Sequence, residues 1–105
     1  MLELETLRVV HVGSNRRVLA VTQHPGEATR VVVPLRMIIA DALRLGSSGL
    51  LLSHNHPMGD PTPSRDDLIT TRRLADLAHA LGIRLHDHLI WGHNRHISFR
   101  AAGLL

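Results

Sequence analysis

The fourteen residues from His54 to Asp67, His-Asn-His-Pro-Met-Gly-Asp-Pro-Thr-Pro-Ser-Arg-Asp-Asp, hold the side chains best suited to chemistry in this chain. An apolar run, Leu50-Leu51-Leu52, leads into them and an amphipathic segment follows, so the stretch reads as strand, Pro/Gly loop and helix start. In extended backbone, residues i and i+2 share a face, which lets His54 and His56 converge on one metal ion. Pro57 disfavours helical backbone for the residue before it and keeps His56 extended. Ser64 is a good N-cap, and Asp67 three residues on falls in the first helical turn. A loop folded back on itself would bring that carboxylate in as a third ligand. Two His and one Asp leave a fourth position for water, the plan of a catalytic zinc site.

The same letters have plainer readings. S-x-x-D is an ordinary capping box worth ~1 kcal/mol, and capping could be the whole task of Ser64 and Asp67. Asp66 is one residue away, and local physics alone does not choose between the two carboxylates. His86 and His88 form a second H-x-H with no suitably spaced third ligand after it. His11, His24, His79, His93 and His96 are most simply surface residues. The contiguous letters H-N-H do not make an HNH nuclease, whose motif is dispersed over a ββα unit.

The positioning elements follow from periodicity. Residues 5–12 and 17–22 read as two β-branched strands of a hairpin joined by a turn at residues 13–16. A second turn is expected at residues 24–27 and a short third strand over residues 30–33. Pro34 can start a helix that carries Leu35, Ile38, Ile39 and Ala42 at helical spacing and stops at Gly46. Residues 49–53 are a continuous apolar strand, expected to be central and buried on both faces. A helix over residues 65–81 is expected to bury Leu68, Leu74, Ala75, Ala78 and Leu81. Strands over residues 83–91 and 96–99 complete the chain. The order implies one domain, residues 1–105, of α/β or α+β class: a mixed sheet flanked by helices.

Composition narrows the function. The chain has 105 residues, 44% of them hydrophobic, enough for one core. With one Trp, one Phe and no Tyr, it lacks the stacking platforms of single-strand nucleic-acid binders. A net charge of +3, carried by scattered arginines, gives weak support to a nucleic-acid partner. The absence of Cys excludes disulfides, thiolate zinc sites and cysteine catalysis, and suits a reducing cytoplasm. No signal peptide or run long enough to span a bilayer is expected. Nine histidines are the one compositional excess.

The spacing H-x-H, seven residues, S, two residues, D, met by His54, His56, Ser64 and Asp67, resembles the metal signature of the JAMM (JAB/MPN) metallohydrolases. The longer string HNHPMGDPTPSRDD is similar to the RadC branch of that superfamily. So are Val33-Pro34-Leu35-Arg36, Thr70-Thr71-Arg72-Arg73-Leu74, residues 82–90 and Ser98-Phe99-Arg100, and the likeness covers nearly the whole chain. The resemblance implies a JAB/MPN-like, cytidine-deaminase-like fold and a Zn2+ cofactor on His54, His56 and Asp67. It implies Ser64 as donor to a developing oxyanion and a strand Glu as general acid/base. Glu5 matches that position best; Glu3 shares its strand face, and a slipped alignment would put Gln23 there instead. Glu27 lies near the second turn. Asp87-His88 belongs to the family pattern and is expected to support the ligands or pack beside the cleft. The implied substrate is a peptide or isopeptide amide in a peptide or protein. Typical RadC proteins carry a helix-hairpin-helix segment before this domain, which this sequence does not contain. The competing expectation is a non-catalytic metal-containing module that binds DNA or protein in DNA repair. A metal-dependent nuclease ranks last, since few basic clusters flank the motif.

Overall fold

The structure is a computed structural model that describes residues 5–25, 33–56 and 59–105. Five strands and two helices follow in the order β1 (Thr6–Val12), β2 (Val18–Pro25), α1 (Leu35–Leu45), β3 (Gly49–Asn55), α2 (Arg65–Ala80), β4 (Arg84–Trp91) and β5 (His96–Ser98). The strands form one mixed sheet in the spatial order β2-β1-β3-β4-β5. Only β3 and β4 run parallel, joined through α2; the other pairs are antiparallel. This is a small α+β architecture of the expected class.

Strand alternation decides what lies beneath the helices. Leu7 and Val9 of β1, and Leu50 and Leu52 of β3, point to one face and are fully buried. Ile38 and Ala42 of α1 and Leu74 and Ala78 of α2 close over them in a single aliphatic core. Gly46 ends α1 in the left-handed region, φ 71°, where a side chain would be strained. Both helices therefore cover the same face of the sheet. The expectation that β3 is central holds, but burial on both faces does not: Leu51 and Ser53 are only half-buried, because no helix packs on their side among the described residues.

Other expectations need correction. The turn placed at His24 and Pro25 is strand, since Thr6 pairs with Pro25 and the hairpin ladder runs on to that point. β2 is an edge strand, where proline is tolerated. The short strand expected over 30–33 lies outside the described residues except for Val33, which is buried core beside α1 and not in a strand. In α2, Leu68 is 39% and Leu81 49% exposed. The buried line of that helix is Asp67, Thr71, Leu74 and Ala78, so its first turns present polar groups to the sheet.

His11 is also not a surface residue. It sits on the core face of β1 between Ala20 and Leu50 and is fully buried. Its Nδ1 lies 2.9 Å from Ser47 Oγ. Burial holds its pKa below 6.5; Asp41 opposes that shift, while Arg44 and His24 add to it. The ring is thus neutral in the fold and free to protonate in the unfolded chain. Stability is expected to be unaffected by this group above pH 6.5 and to fall as pH drops below it, because the unfolded state then binds the extra proton. Denaturation midpoints measured from pH 8 to pH 5 check this, and His11→Gln should flatten the slope.

Candidate metal centre

The sheet topology brings four segments to one end. β3 ends at Asn55, and β1, antiparallel to it, begins there, with Leu7 opposite His54. Glu5 immediately precedes β1, and α2 returns after the loop with its N-terminus nearby. Ligand sites commonly form at the carboxyl ends of parallel strands, where βα loops meet helix starts.

His54 is 1% exposed and points to the core face; His56 follows two residues later. Their Nε2 atoms are 2.9 Å apart. Asp67, 3% exposed, puts Oδ1 at 3.8 Å from His54 Nε2 and Oδ2 at 3.5 Å from His56 Nε2. Glu5, 8% exposed, completes a group in which its carboxylate oxygen and the His54 and His56 nitrogens all lie within 4.8 Å of one another. The structure thus brings together all three expected ligands and the expected acid/base. It also separates Asp66, which is exposed, from Asp67. Gln23 is exposed on β2 opposite Arg8, on the uncovered face of the sheet. Glu3 and Glu27 lie outside the described residues.

Ser64 caps α2: its Oγ accepts from Asp67 N–H at 3.0 Å, and Asp67 Oδ2 accepts from Ser64 N–H at 2.8 Å. The capping box engages Oδ2 of Asp67, which also faces His56, and leaves Oδ1 turned toward His54. The Ser64 hydroxyl hydrogen is likewise not consumed by the cap.

The loop is braced by its neighbours. His56 N–H donates to Trp91 O at 2.8 Å, and Gly59 N–H donates to His56 O at 3.0 Å. Gly59 has φ 86°, a conformation other residues rarely adopt. Its carbonyl packs so closely on Gly92 that a Cβ at Gly92 would overlap it. The β4–β5 turn therefore accommodates the His loop only with glycine at that position.

The hydrogen bonds decide whether the donors suit a cation. His56 Nδ1 is 2.7 Å from the carbonyl oxygen of Asp60, which can only accept. The ring proton of neutral His56 is therefore on Nδ1, and the Nε2 lone pair faces the cluster. His54 has its pKa lowered to about 4, chiefly by burial, with His56 adding and Asp67 opposing. It is neutral near pH 7 and able to ligate. Two imidazoles and up to two carboxylates, with the imidazole nitrogens directed at one another, are a zinc-type donor set. The residues fit the ion that the sequence pattern implies.

His88, fully buried, lies behind this cluster. Its Nε2 is 2.6 Å from His54 Nδ1, its Nδ1 is 2.7 Å from Thr71 Oγ1, and Phe99 stacks on its ring at 4.5 Å. The expected support by His88 is realised, while Thr71 was not singled out. The signal for it was a polar residue four positions after Asp67, on the stripe where the helix should be apolar. His86 takes no part: a β-bulge in β4 at this point leaves it exposed above Gly49. Asp87 anchors the C-terminal turn. Burial would raise its pKa, but hydrogen bonds from Ser98 and the Arg100 and His88 amides, with the Arg100 charge, hold it below the usual carboxylate range.

A groove of about 410 Å³ is lined by Thr6, Arg8, Ser53, His54, Asn55 and Trp91; Arg8 and Ser53 place it mostly on the face of the sheet opposite the one to which the His54 ring points. A larger cavity of about 610 Å³ between α2 and the C-terminal residues shares no residue with the histidine site.

The sequence pattern of the RadC-like JAB domain matches residues 1–104. The chain belongs to the RadC-like JAB domain family. Over 105 residues it is 41% identical to a UPF0758 protein of Desulfitobacterium hafniense, covering 99% of this chain and 46% of that protein. It is 43% identical to a UPF0758 protein of Ruegeria pomeroyi, over 98% of this chain and 46% of the relative. With a UPF0758 protein of Rhodobacter capsulatus it shares 49% identity over 83 residues, 79% of this chain and 39% of the relative. The chain thus spans less than half the length of these curated relatives. The mixed sheet and two helices agree with the JAB/MPN-like fold that the family implies. Among the described residues, no helix is long and apolar enough to cross a membrane.

Proposed function

We propose that this RadC-like JAB domain is a zinc-dependent hydrolase that cleaves a peptide or isopeptide amide bond in a peptide or protein substrate. The observation that carries the reading is the convergence of His54 Nε2 and His56 Nε2, 2.9 Å apart, with the buried carboxylates of Asp67 and Glu5 beside them. In it His54, His56 and Asp67 hold the metal. When bound, the ion supplies the Lewis acidity that makes water a competent nucleophile near neutral pH.

The chain's own residues do the rest. Glu5 takes the proton from the attacking water and passes it to the leaving amine, a proton shuttle from a fixed carboxylate. The hydroxyl of Ser64, held in place by the helix cap, donates to the oxygen on which negative charge develops; such donors contribute ~3 kcal/mol. A chain without cysteine suits the cytoplasm, where we place this activity.

The test is a panel of peptide and isopeptide substrates assayed with zinc-loaded protein. Hydrolysis should disappear with a chelator and return with added zinc. Activity that survives complete metal removal would contradict the reading.

A further inference from the structure

Three buried groups, Thr71, His88 and His54, form one hydrogen-bonded chain that runs to His56, and its ends fix the directions available to it. Thr71 Oγ1 meets His88 Nδ1 at 2.7 Å, His88 Nε2 meets His54 Nδ1 at 2.6 Å, and His54 Nε2 meets His56 Nε2 at 2.9 Å. The far end is set by His56 Nδ1, 2.7 Å from the Asp60 carbonyl oxygen, so neutral His56 has its proton there and a lone pair on Nε2.

With no cation at the pair and both rings neutral, a hydrogen is needed between the two Nε2 atoms, and it belongs to His54. Neutral His54 then has a bare Nδ1, which must accept from His88 Nε2–H. His88 in turn has a bare Nδ1, which must accept from the Thr71 hydroxyl. Every bond is made, and all run from Thr71 toward His56. With a cation on both Nε2 atoms, the proton of His54 has to sit on Nδ1 and donate to His88 Nε2. The proton of His88 then sits on Nδ1 and donates to Thr71 Oγ1. Every bond is again made, in the opposite direction.

We propose that Thr71 and His88 are positioning residues that set which nitrogen of His54 bears its proton, and that the Thr71–His88–His54 chain reverses direction when the histidine pair takes up a metal ion. The proposal rests on the metal reading of the site. The number of protons on the three residues is the same in both states; each histidine moves one from Nε2 to Nδ1, and the hydroxyl rotates.

The terminal group must therefore both donate and accept, which a hydroxyl does and a methyl cannot. Thr71 is 1% and His88 0% exposed, so water is poorly placed to stand in for either. The Phe99 ring, stacked on His88 at 4.5 Å and 19°, holds the imidazole in plane, so the change is in the protons and not in the ring orientation. Buried partners of metal-bound histidines typically change metal affinity 10–100-fold when removed.

The experiment is long-range 15N–1H correlation on histidine-labelled protein at pH 8, metal-free and titrated with zinc, with zinc affinity measured in parallel by chelator competition. We expect His54 and His88 to change from the Nε2–H to the Nδ1–H form on loading, while His56 keeps Nδ1–H throughout. Thr71→Val should weaken zinc binding ~10–100-fold, and Thr71→Ser should restore it, with circular dichroism confirming that both variants fold. Zinc bound with His88 in the same form before and after would overturn the proposal and leave the metal reading standing. Thr71→Ser binding zinc as weakly as Thr71→Val would overturn it in the same way. No zinc bound to folded wild-type protein would overturn the metal reading and the reversal together.

Discussion

Glu5→Gln protein is expected to bind zinc about as tightly as wild type and to lose amide hydrolysis by ~10²–10⁴-fold, the usual contribution of a positioned general acid/base. Glu5 offers a carboxylate oxygen within 4.8 Å of a nitrogen of each histidine, and Asp67 approaches Nε2 of His56 at 3.5 Å and of His54 at 3.8 Å, so the substitution distinguishes a base from a further ligand. The position of Glu5 just before β1, with Leu7 opposite His54, places it at the ligand end of β3 without a place in the His loop itself. Glutamine keeps the size and the oxygen but cannot take a proton. Metal content and single-turnover hydrolysis, measured on one preparation, check both halves. A fall in both by the same factor would make Glu5 a ligand instead of a base.

Much of this site was readable in the chain because its parts are local. His54 and His56 share a face through strand periodicity, and Ser64 and Asp67 through the first turn of a helix, so a fourteen-residue string brings most of the candidate ligands with it. What was not readable came from long-range pairing. The burial of His11 depends on β1 lying between β2 and β3, which nothing in Arg8-Val9-Val10-His11-Val12 announces. The extension of β2 through Pro25 depends on how far β1 reaches back toward Glu5. The choice of Asp67 over Asp66 is made by the rotation of α2 against the sheet, and the same rotation turns Leu68 outward and Thr71 inward. Nothing in the second H-x-H announces the bulge in β4 that sends His86 and His88 to different surroundings.

His56→Ala protein is expected to fold and to lose zinc affinity by ~10²–10³-fold. Structural zinc in zinc-finger peptides is held by ~10–16 kcal/mol shared among four ligands, and on that scale one imidazole carries a few kcal/mol. His56 is the better choice for the substitution because it is partly exposed and lies in the loop, while His54 is buried and hydrogen-bonded to His88. Its truncation removes a ligand with little cost to the core.

The most direct measurement of the central claim is the zinc content of purified wild-type protein beside His56→Ala, by elemental analysis after dialysis against metal-free buffer and again after zinc is supplied. The account predicts about one zinc per wild-type chain and almost none in the variant. Folded wild-type protein that takes up no zinc, or a variant that retains as much as wild type, would contradict it.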